Sequence, residues 1–263
     1  MFVESRVPGP VPRIINQVWL NGDPPDTLLR LQERMMRLNP GYDLRLWKPE
    51  NFPPLYNARW YAEIEGLSYK SDIARYEILW RHPGIYVDFD AIFWRGFDDI
   101  FGDAGCSSMP DNFFVRESDE RINNAIFGVG PGSPIAAALV ERLDLSARRH
   151  KEVGGRAHMS GVVYFTRVVE SFPETAYVLP RRTFHSGLNV RCAIKAARDP
   201  KYACLACHFY NNIPDVLGVV EHCYLTGELS DAMAVPPPPP VPPRLRWNGS
   251  ALAPVAPQEN LGA

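Results

Sequence analysis

Hydrophobic and polar residues follow two recurring patterns along residues 13–179, and each pattern predicts a different kind of element. Strict alternation, as in 42–47, is typical of a strand with one buried face. Apolar positions three or four residues apart, as at Leu28, Leu31 and Met35, are typical of an amphipathic helix. The predicted strands are 13–20, 42–47, 85–94, 124–129 and 175–179, and the predicted helices are 28–38, 71–80, 134–149 and 161–171.

Turn and cap residues separate these elements. We expect Asp26 or Thr27 to cap the first helix through a side-chain oxygen. Residues 82–84, His-Pro-Gly, should end the second helix, because proline cannot continue a helix and glycine accepts a left-handed turn. Strands and helices in alternation predict an α/β fold with a doubly wound sheet.

The composition agrees with one globular domain and argues against several kinds of partner. The 263 residues are 46% hydrophobic and 22% charged, which is ordinary for a protein with a packed core. The formal net charge of -2 gives no basis for binding nucleic acid or a membrane surface. No apolar run resembles a signal peptide or a membrane span, so we expect a soluble, cytoplasmic protein.

Proline marks both ends of the chain. Residues 1–12 form a proline-rich lead, and residues 232–263 contain an unbroken proline run at 236–240. Such a segment favours extended polyproline II and buries little apolar surface. We therefore assign residues 13–231 to the folded domain and expect a disordered tail after it.

The five cysteines are odd in number and follow no disulfide-scaffold spacing, which indicates a reducing compartment. Cys204, Cys207 and His208 match the C-x-x-C-H pattern of c-type haem attachment. The two cysteines could also bind structural zinc. Haem attachment needs export, for which no signal is visible, so buried thiols are the favoured interpretation.

Asp88 and Asp90 end the most strand-like segment and are the candidate chemical centre. Residues two apart on a strand share a face, so the two carboxylates should lie side by side. Unpaired, they would repel each other, and Mg²⁺ or Mn²⁺ would remove that penalty because both ions prefer oxygen ligands. A metal with open positions can bind a diphosphate. Asp98 and Asp99, adjacent in sequence, are interpreted instead as solvated loop charge.

A second polar set lies on the preceding helix. Asp72 and Arg75 are three residues apart, next to Ser71, and therefore share a helical face near the predicted N-terminus. A plain ion pair within the helix and a contribution to the same site both remain open.

Three sequence blocks resemble glycosyltransferase family 32, the DXD-containing sugar-binding transferases, and more distantly the glycosyltransferase domains of large clostridial toxins. The blocks follow the family's order and spacing, which is far more specific than Asp-x-Asp alone. They are RIINQVWLNGDPP at 13–25, LNPGYDLRLW at 38–47 and KSDIARYEILWRHPGIYVDFD at 70–90.

The resemblance implies a GT-A-like fold, a doubly wound mixed sheet with flanking helices, and a retaining, metal-dependent hexosyltransferase. Asp72, Arg75, Asp88 and Asp90 match the family's catalytic positions, with Asp88 and Asp90 at the metal. Trp19 matches the tryptophan that lies against the nucleotide base in the family. Packing in the core is the alternative role for Trp19. The expected donor-binding set is Trp19, Leu20, Asp72, Arg75, Tyr86, Asp88, Phe89 and Asn124, with Asn123 as the alternative to Asn124.

The chain departs from the family pattern at several positions. Asn16 stands where the family usually has His, and Pro83 replaces the first glycine of a Gly-Gly pair. The later block at 160–166 lacks its proline, and the block at 208–212 lacks its tryptophan. His208 is therefore either a third metal ligand or an ordinary partly buried histidine.

The expected donor is UDP-glucose, UDP-galactose or GDP-mannose, and the acceptor is a hydroxyl of a glycan, a protein or a small molecule. A haloacid-dehalogenase-like phosphatase is one alternative, since its nucleophile motif is also a hydrophobic strand ending in Asp-x-Asp. Ile92 and the late position of the motif argue against it. A non-catalytic protein that binds nucleotide sugars or carbohydrate is the other alternative, suggested by the weak C-terminal blocks.

Overall fold

The computed structural model describes residues 7–103, 109–153 and 156–179, and four short strands further along the chain. The strands are β1 Ile14–Val18, β2 Asp43–Trp47, β3 Gly84–Val87, β4 Ala91–Phe93, β5 Asn112–Ser118, β6 Arg121–Val129, β7 Tyr177–Leu179, β8 Phe184–Ser186, β9 Ala206–His208, β10 Leu245–Trp247 and β11 Leu252–Pro254. The helices are α1 Asp26–Leu38, α2 Ala58–Glu63, α3 Leu67–Arg81, α4 Phe97–Asp103, α5 Pro134–Glu141, α6 Leu143–Val153, α7 Arg156–Met159 and α8 Val162–Glu170, with a 3-10 turn at Pro49–Asn51.

Six strands form the main sheet, in the order β2-β1-β3-β6-β5-β7. Strand β1 pairs in parallel with both β2 and β3, and β6 runs antiparallel to both β3 and β5. Strand β7 pairs in parallel with β5. A smaller sheet has the order β4-β9-β8, and β10 pairs with β11. The mixed sheet with flanking helices confirms the predicted α/β class.

The core consists of two apolar clusters, one on each face of the main sheet. Because side chains alternate along a strand, Tyr86 and Phe114 belong to one cluster while Ile85, Val87 and Phe113 belong to the other. Helices α3, α5 and α8 cover the first face, and α1 and α4 contribute to the second. The sheet is therefore covered on both faces, as the strand–helix alternation predicts.

Helix α3 is buried on all sides from Asp72 to Leu79. It begins at Leu67, after Gly66 with φ of 97°, which is earlier than predicted. Asp72 and Arg75 therefore lie inside the helix and not at its N-terminus. The early start was missed because 67–70 carries no clear helical periodicity.

The predicted strand over 85–94 is wrong as a single element. Strand β3 ends at Val87 and β4 begins at Ala91 in the smaller sheet, with a turn at 88–90 between them. The amide of Asp88 still donates to the carbonyl of Ala125 on β6 (2.9 Å), and the amide of Ala91 donates back to the carbonyl of Asp88 (3.3 Å). Continuous hydrophobicity hides this corner because both strands are buried.

Gly84 is required by a close approach of two strands. A Cβ at this position would lie 2.5 Å from the backbone oxygen of Ile14 on β1. Glycine thus allows β3 to pair tightly with β1 immediately after α3 ends.

Several other local predictions are corrected. The N-cap residue of α1 is Pro25, and no side chain caps the helix through a hydrogen bond. The predicted caps Asp26 and Thr27 are therefore wrong. The predicted helix over 134–149 is two helices, α5 and α6, that meet at Arg142. The predictions also omitted α2, α4, α7 and β5, and the four short strands β8 to β11.

Asp98 and Asp99 are exposed, as predicted, but they lie in the first turn of α4 and not in a loop. The hydroxyl of Tyr42 donates to Asp98 Oδ1 at 2.7 Å, and Arg13 pairs with Asp98 Oδ2 at 2.9 Å. Asp99 accepts from the amide of Gly96 at 3.1 Å. Carboxylates in the first turn of a helix interact favourably with the helix dipole, so the pair is structural.

Among the described residues, no helix has both the length and the apolar character needed to cross a bilayer. Of the predicted proline-rich tail, the structure describes β10 and β11, which pair antiparallel. The predicted boundaries of the lead, domain and tail remain predictions.

Glu77 is a fully buried carboxylate with a structural role. Its two oxygens accept from the amides of Tyr56 and Asn57, at 2.8 and 2.7 Å, and from the Asn57 side chain at 2.9 Å. It therefore joins α3 to the residues that lead into α2.

We expect Glu77→Gln to lower the free energy of unfolding by about 2–3 kcal/mol, because the amide nitrogen would face N–H donors in a buried site. Urea denaturation measures the change. Glu63→Gln is the control, since Glu63 pairs with Arg59 at the surface and should change stability by less than about 1 kcal/mol. Equal effects of the two substitutions would contradict a structural role for Glu77.

Candidate active site

The candidate site lies at the carboxyl end of β3, where the turn at 88–90 leaves the main sheet. Trp19 follows the neighbouring strand β1, and its indole contacts the ring of Phe89 edge-on, with centroids 5.2 Å apart. The indole N–H of Trp19 donates to the carbonyl of Asn21 at 2.9 Å. Trp19 is half-buried beside the turn, so part of its ring is accessible there.

Arg75 is the central charge of the site and is only 5% exposed. Its guanidinium lies over the ring of Tyr86, 4.5 Å from the centroid, and donates to the carbonyl of Asn124 at 2.7 Å. It also donates to Ser71 Oγ at 3.1 Å and pairs with Asp88 Oδ1 at 3.3 Å. Burial acts to lower the pKa of Arg75, but the charge of Asp88 and its neighbours outweighs burial and raises it.

Asp88 is held in place by two side chains of the core. The hydroxyl of Tyr86 donates to Asp88 Oδ1 at 2.5 Å, and Arg75 reaches both carboxylate oxygens at 3.3 Å. Burial, with the nearby charge of Asp88 adding to it, raises the pKa of Tyr86 well above its usual value, so the phenol remains a donor. Asp88 itself is half-buried, with part of its surface facing outward.

Asp72 is buried one helical turn before Arg75. Asn124 Nδ2 donates to one oxygen at 2.8 Å, Ser160 Oγ donates to the other at 3.4 Å, and Arg75 lies 3.6 Å away. Burial raises the pKa of Asp72 to about 7, and the charge of Asp88 adds to the shift, although Arg75 opposes it. The intrahelical ion pair and the site contribution are thus combined in one arrangement.

Two residues of this network were missed by sequence reasoning. The hydroxyl of Tyr76 donates to the carbonyl of Ser160 at 2.7 Å and accepts from Asn124 Nδ2 at 3.0 Å. Tyr76 has the spacing of a core residue, which hides its polar end. Ser160 opens the weak block at 160–166, and that position is the one available signal for it.

The remaining predicted site residues lie at different distances from the network. Leu20 packs against the first core cluster, and Phe89 is buried between the two aspartates. Asn124 belongs to the network, whereas Asn123 uses its Oδ1 to accept from the amide of Ala125. Asp90 is half-buried in the turn.

His208 is brought to the turn by the smaller sheet. In the antiparallel pair of β4 and β9, the Cα partner of Ala91 is His208. The backbone of His208 is therefore paired with the residue that follows Asp90, although His208 and Asp90 are far apart in sequence. Cys207 is in the same strand, and Cys204 lies outside the described residues.

The charge of the site agrees with a bound cation. Asp72 and Asp88 supply two carboxylates within reach of one buried guanidinium, that of Arg75, and Asp90 adds a third, half-buried carboxylate in the turn. Hard oxygen donors of this kind suit Mg²⁺ or Mn²⁺. The described residues contain no group of three protein ligands already gathered for a metal. The carboxylate oxygens of Asp88 and Asp90 are of the type that such a metal binds, and a bound diphosphate would supply further oxygen ligands.

Comparison with known proteins identifies similar chains. The family model described as "Glycosyltransferase sugar-binding region containing DXD motif" matches residues 25–105, which include the turn at 88–90. An uncharacterized glycosyltransferase, L373 of Acanthamoeba polyphaga mimivirus, is 31% identical over 208 residues, covering 75% of this chain and 80% of the relative.

Two further similarities are more distant. Inositol phosphoceramide mannosyltransferase 3 of Schizosaccharomyces pombe is 25% identical over 153 residues, which is 54% of this chain but 39% of the yeast protein. The solved structure of PaToxG glycosyltransferase superposes with a TM-score of 0.53 at 16% identity, covering 64% of this chain and 73% of that one. The fold is the GT-A-like one that the sequence resemblance implied.

We expect Asp72→Asn to change how stability depends on pH. The folded-state pKa of Asp72 lies near 7, above its usual value, so its protonated form stabilises the fold and that contribution is lost as pH rises through 7. The free energy of unfolding of Asp72→Asn, measured relative to that of the wild type, should therefore be about 1–3 kcal/mol higher at pH 8.5 than at pH 5.5. Urea denaturation across that range measures the difference.

Asp43→Asn is the control for this prediction, because Asp43 is exposed at the start of β2, at the opposite end of the sheet. An exposed charge contributes little to stability, so Asp43→Asn should differ from the wild type by less than about 1 kcal/mol at every pH measured. An equally small change for Asp72→Asn across the range would contradict the raised pKa of Asp72.

Proposed function

This chain belongs to the glycosyltransferases that carry a DXD-containing sugar-binding region, and from that premise we propose that it is a retaining, metal-dependent hexosyltransferase. The donor is a nucleotide sugar and the acceptor is a hydroxyl group. The observation that carries the proposal is the buried network of Arg75 with Asp72 and Asp88, next to a half-buried Trp19. We assign the activity to the domain predicted over 13–231.

The base of the nucleotide is bound against the accessible part of Trp19, beside the turn. A flat, partly accessible indole suits a nucleotide base, and its edge contact with Phe89 keeps it beside the turn. Asp88 and Asp90, with His208 as the candidate third ligand, would hold a divalent ion, which supplies positive charge to the diphosphate as the sugar–phosphate bond breaks.

Arg75 contributes a fixed positive charge close to the same phosphates. Its guanidinium is already oriented by the Asn124 carbonyl and Tyr86 and needs no rearrangement during the reaction. Preorganised charge of this kind is an effective way to stabilise a leaving group.

The sugar is bound on the side of Asp72. As a carboxylate, Asp72 accepts hydrogen bonds from sugar hydroxyls, and Asn124 beside it provides a second polar contact. The acceptor hydroxyl then attacks the anomeric carbon from the face that the phosphate leaves. The departing phosphate can take the acceptor's proton, so no protein nucleophile is needed.

The donor is tested by thermal-shift measurements with UDP-glucose, UDP-galactose and GDP-mannose, each with and without Mn²⁺. GDP-mannose comes first, because the yeast relative is a mannosyltransferase by name. We expect one donor to raise the melting temperature in the presence of the metal only. A stabilising donor that is neither transferred nor hydrolysed would favour the non-catalytic alternative.

The metal assignment is tested by replacing both carboxylates of the turn. Asp88→Ala with Asp90→Ala should abolish metal-dependent turnover and remove the Mn²⁺-dependent thermal shift, because the metal loses its carboxylate ligands. Activity measured on the donor found by screening gives the result, and Asp43→Asn should retain wild-type turnover. Full activity of the double variant would refute the metal assignment.

A further inference from the structure

The buried hydroxyl of Tyr76 joins Asn124 to the residues before α8. Tyr76 is 1% exposed, and its ring packs in the first core cluster, stacked on Phe165 with centroids 5.7 Å apart. The hydroxyl at the end of this apolar ring lies among polar groups of the site. A buried hydroxyl of this kind needs partners, and the identity of those partners sets the direction of every hydrogen bond around it.

The single proton of Tyr76 goes to a backbone carbonyl. The oxygen of Ser160 accepts it at 2.7 Å, and a carbonyl can only accept. Burial, reinforced by the charge of Asp72, keeps the pKa of Tyr76 well above its usual value, so the hydroxyl stays protonated. Toward Asn124, the Tyr76 oxygen is therefore only an acceptor.

This direction determines the orientation of the Asn124 amide. Asn124 Nδ2 lies 3.0 Å from the Tyr76 hydroxyl and 2.8 Å from Asp72 Oδ1. With Asp72 as a carboxylate, both neighbours accept, so both amide hydrogens are used and the reversed amide would place its oxygen against two acceptors. Asn124 is half-buried, and its Oδ1 is the polar atom of the side chain that this network leaves for a ligand.

We propose that Tyr76 is a positioning residue, which presents the oxygen of Asn124 as an acceptor to one hydroxyl of the donor's sugar. The inference rests on the proposed function and deepens it, since it gives the sugar subsite a defined polarity. Asp72 and the Asn124 oxygen together provide two hydrogen-bond acceptors. The site therefore selects sugars that have one hydroxyl facing each acceptor and disfavours analogues that lack either hydroxyl.

The test compares binding of a nucleotide sugar with binding of its nucleotide. Calorimetry with Mn²⁺ measures the dissociation constants of UDP-glucose, UDP-galactose and GDP-mannose, and of UDP and GDP. Tyr76→Phe keeps the ring and removes the hydroxyl. We expect Tyr76→Phe to weaken binding of the tightest nucleotide sugar by about three- to tenfold more than it weakens binding of the matching nucleotide, because one oriented hydrogen bond is lost.

Tyr164→Phe is the matched control. Tyr164 lies in the same cluster, 6.1 Å from Tyr76 between ring centroids, and donates instead to the carbonyl of Leu139 at 2.8 Å. Removing its hydroxyl costs a comparable buried hydrogen bond but should leave the ratio of the two affinities unchanged. If both variants lowered the ratio of nucleotide-sugar affinity to nucleotide affinity equally, a general loosening of the core would be the cause, and the role of Tyr76 would be contradicted.

A double-mutant cycle separates action through Asn124 from a direct effect. In the Asn124→Ala background, Tyr76→Phe should change the affinity ratio by less than about twofold. The same loss as in the wild-type background would overturn the inference. If Tyr76→Phe does not fold, Asn124→Asp takes its place: it keeps an oxygen toward the ligand but turns another toward two acceptors. Wild-type discrimination in Asn124→Asp would also overturn the inference.

The calorimetry distinguishes failure of the proposed function from failure of the role of Tyr76. A wild-type protein that binds none of the nucleotide sugars contradicts the proposed function and this inference together. A protein that binds them, with a ratio that Tyr76→Phe does not change, contradicts the inference alone.

Discussion

The candidate site depends on the interactions that compensate the buried charge of the Arg75 guanidinium. A charge removed from water must be compensated by partners with good geometry, or the fold is penalised by several kilocalories per mole. Arg75 obtains this compensation from Asp88, Asp72, the ring of Tyr86 and the carbonyl of Asn124. These partners come from α3, β3, the turn after β3 and β6, so the requirement to neutralise one charge aligns these elements. The polar side chains of the network are thereby held in place by the fold itself.

The same compensation leaves the site short of positive charge. Two carboxylates share one guanidinium, and Asp90 follows in the turn. Burial raises the pKa of Asp72, and the charge of Asp88 adds to the shift, although Arg75 opposes it. A carboxyl group that would be more stable in water is retained where it weakens the fold at neutral pH, which is typical of groups held for function and not for stability.

The turn at 88–90 explains how the fold makes this position accessible. If β3 had continued, Asp88 and Asp90 would lie on the surface of a sheet that helices cover. The chain instead leaves the main sheet after Val87 and enters the smaller one at Ala91, so the aspartates lie at the junction of two sheets. The backbone of His208 reaches the same junction through β9.

The sequence by itself determined the α/β class, most of the strands and helices, and the residue types of the site, because periodicity and short motifs are local properties. Asp72, Arg75 and Asp88 were singled out from motif and spacing, whereas Asn124, with Asn123 as its alternative, was singled out with the family resemblance, which also supplied the expected roles. Only the tertiary structure decided that one strand becomes two at Val87 and that α3 is buried on all sides. It alone joined Tyr76 and Ser160 to Asn124, because these contacts link residues that are 48 and 84 positions apart, and no local pattern encodes which distant groups will meet.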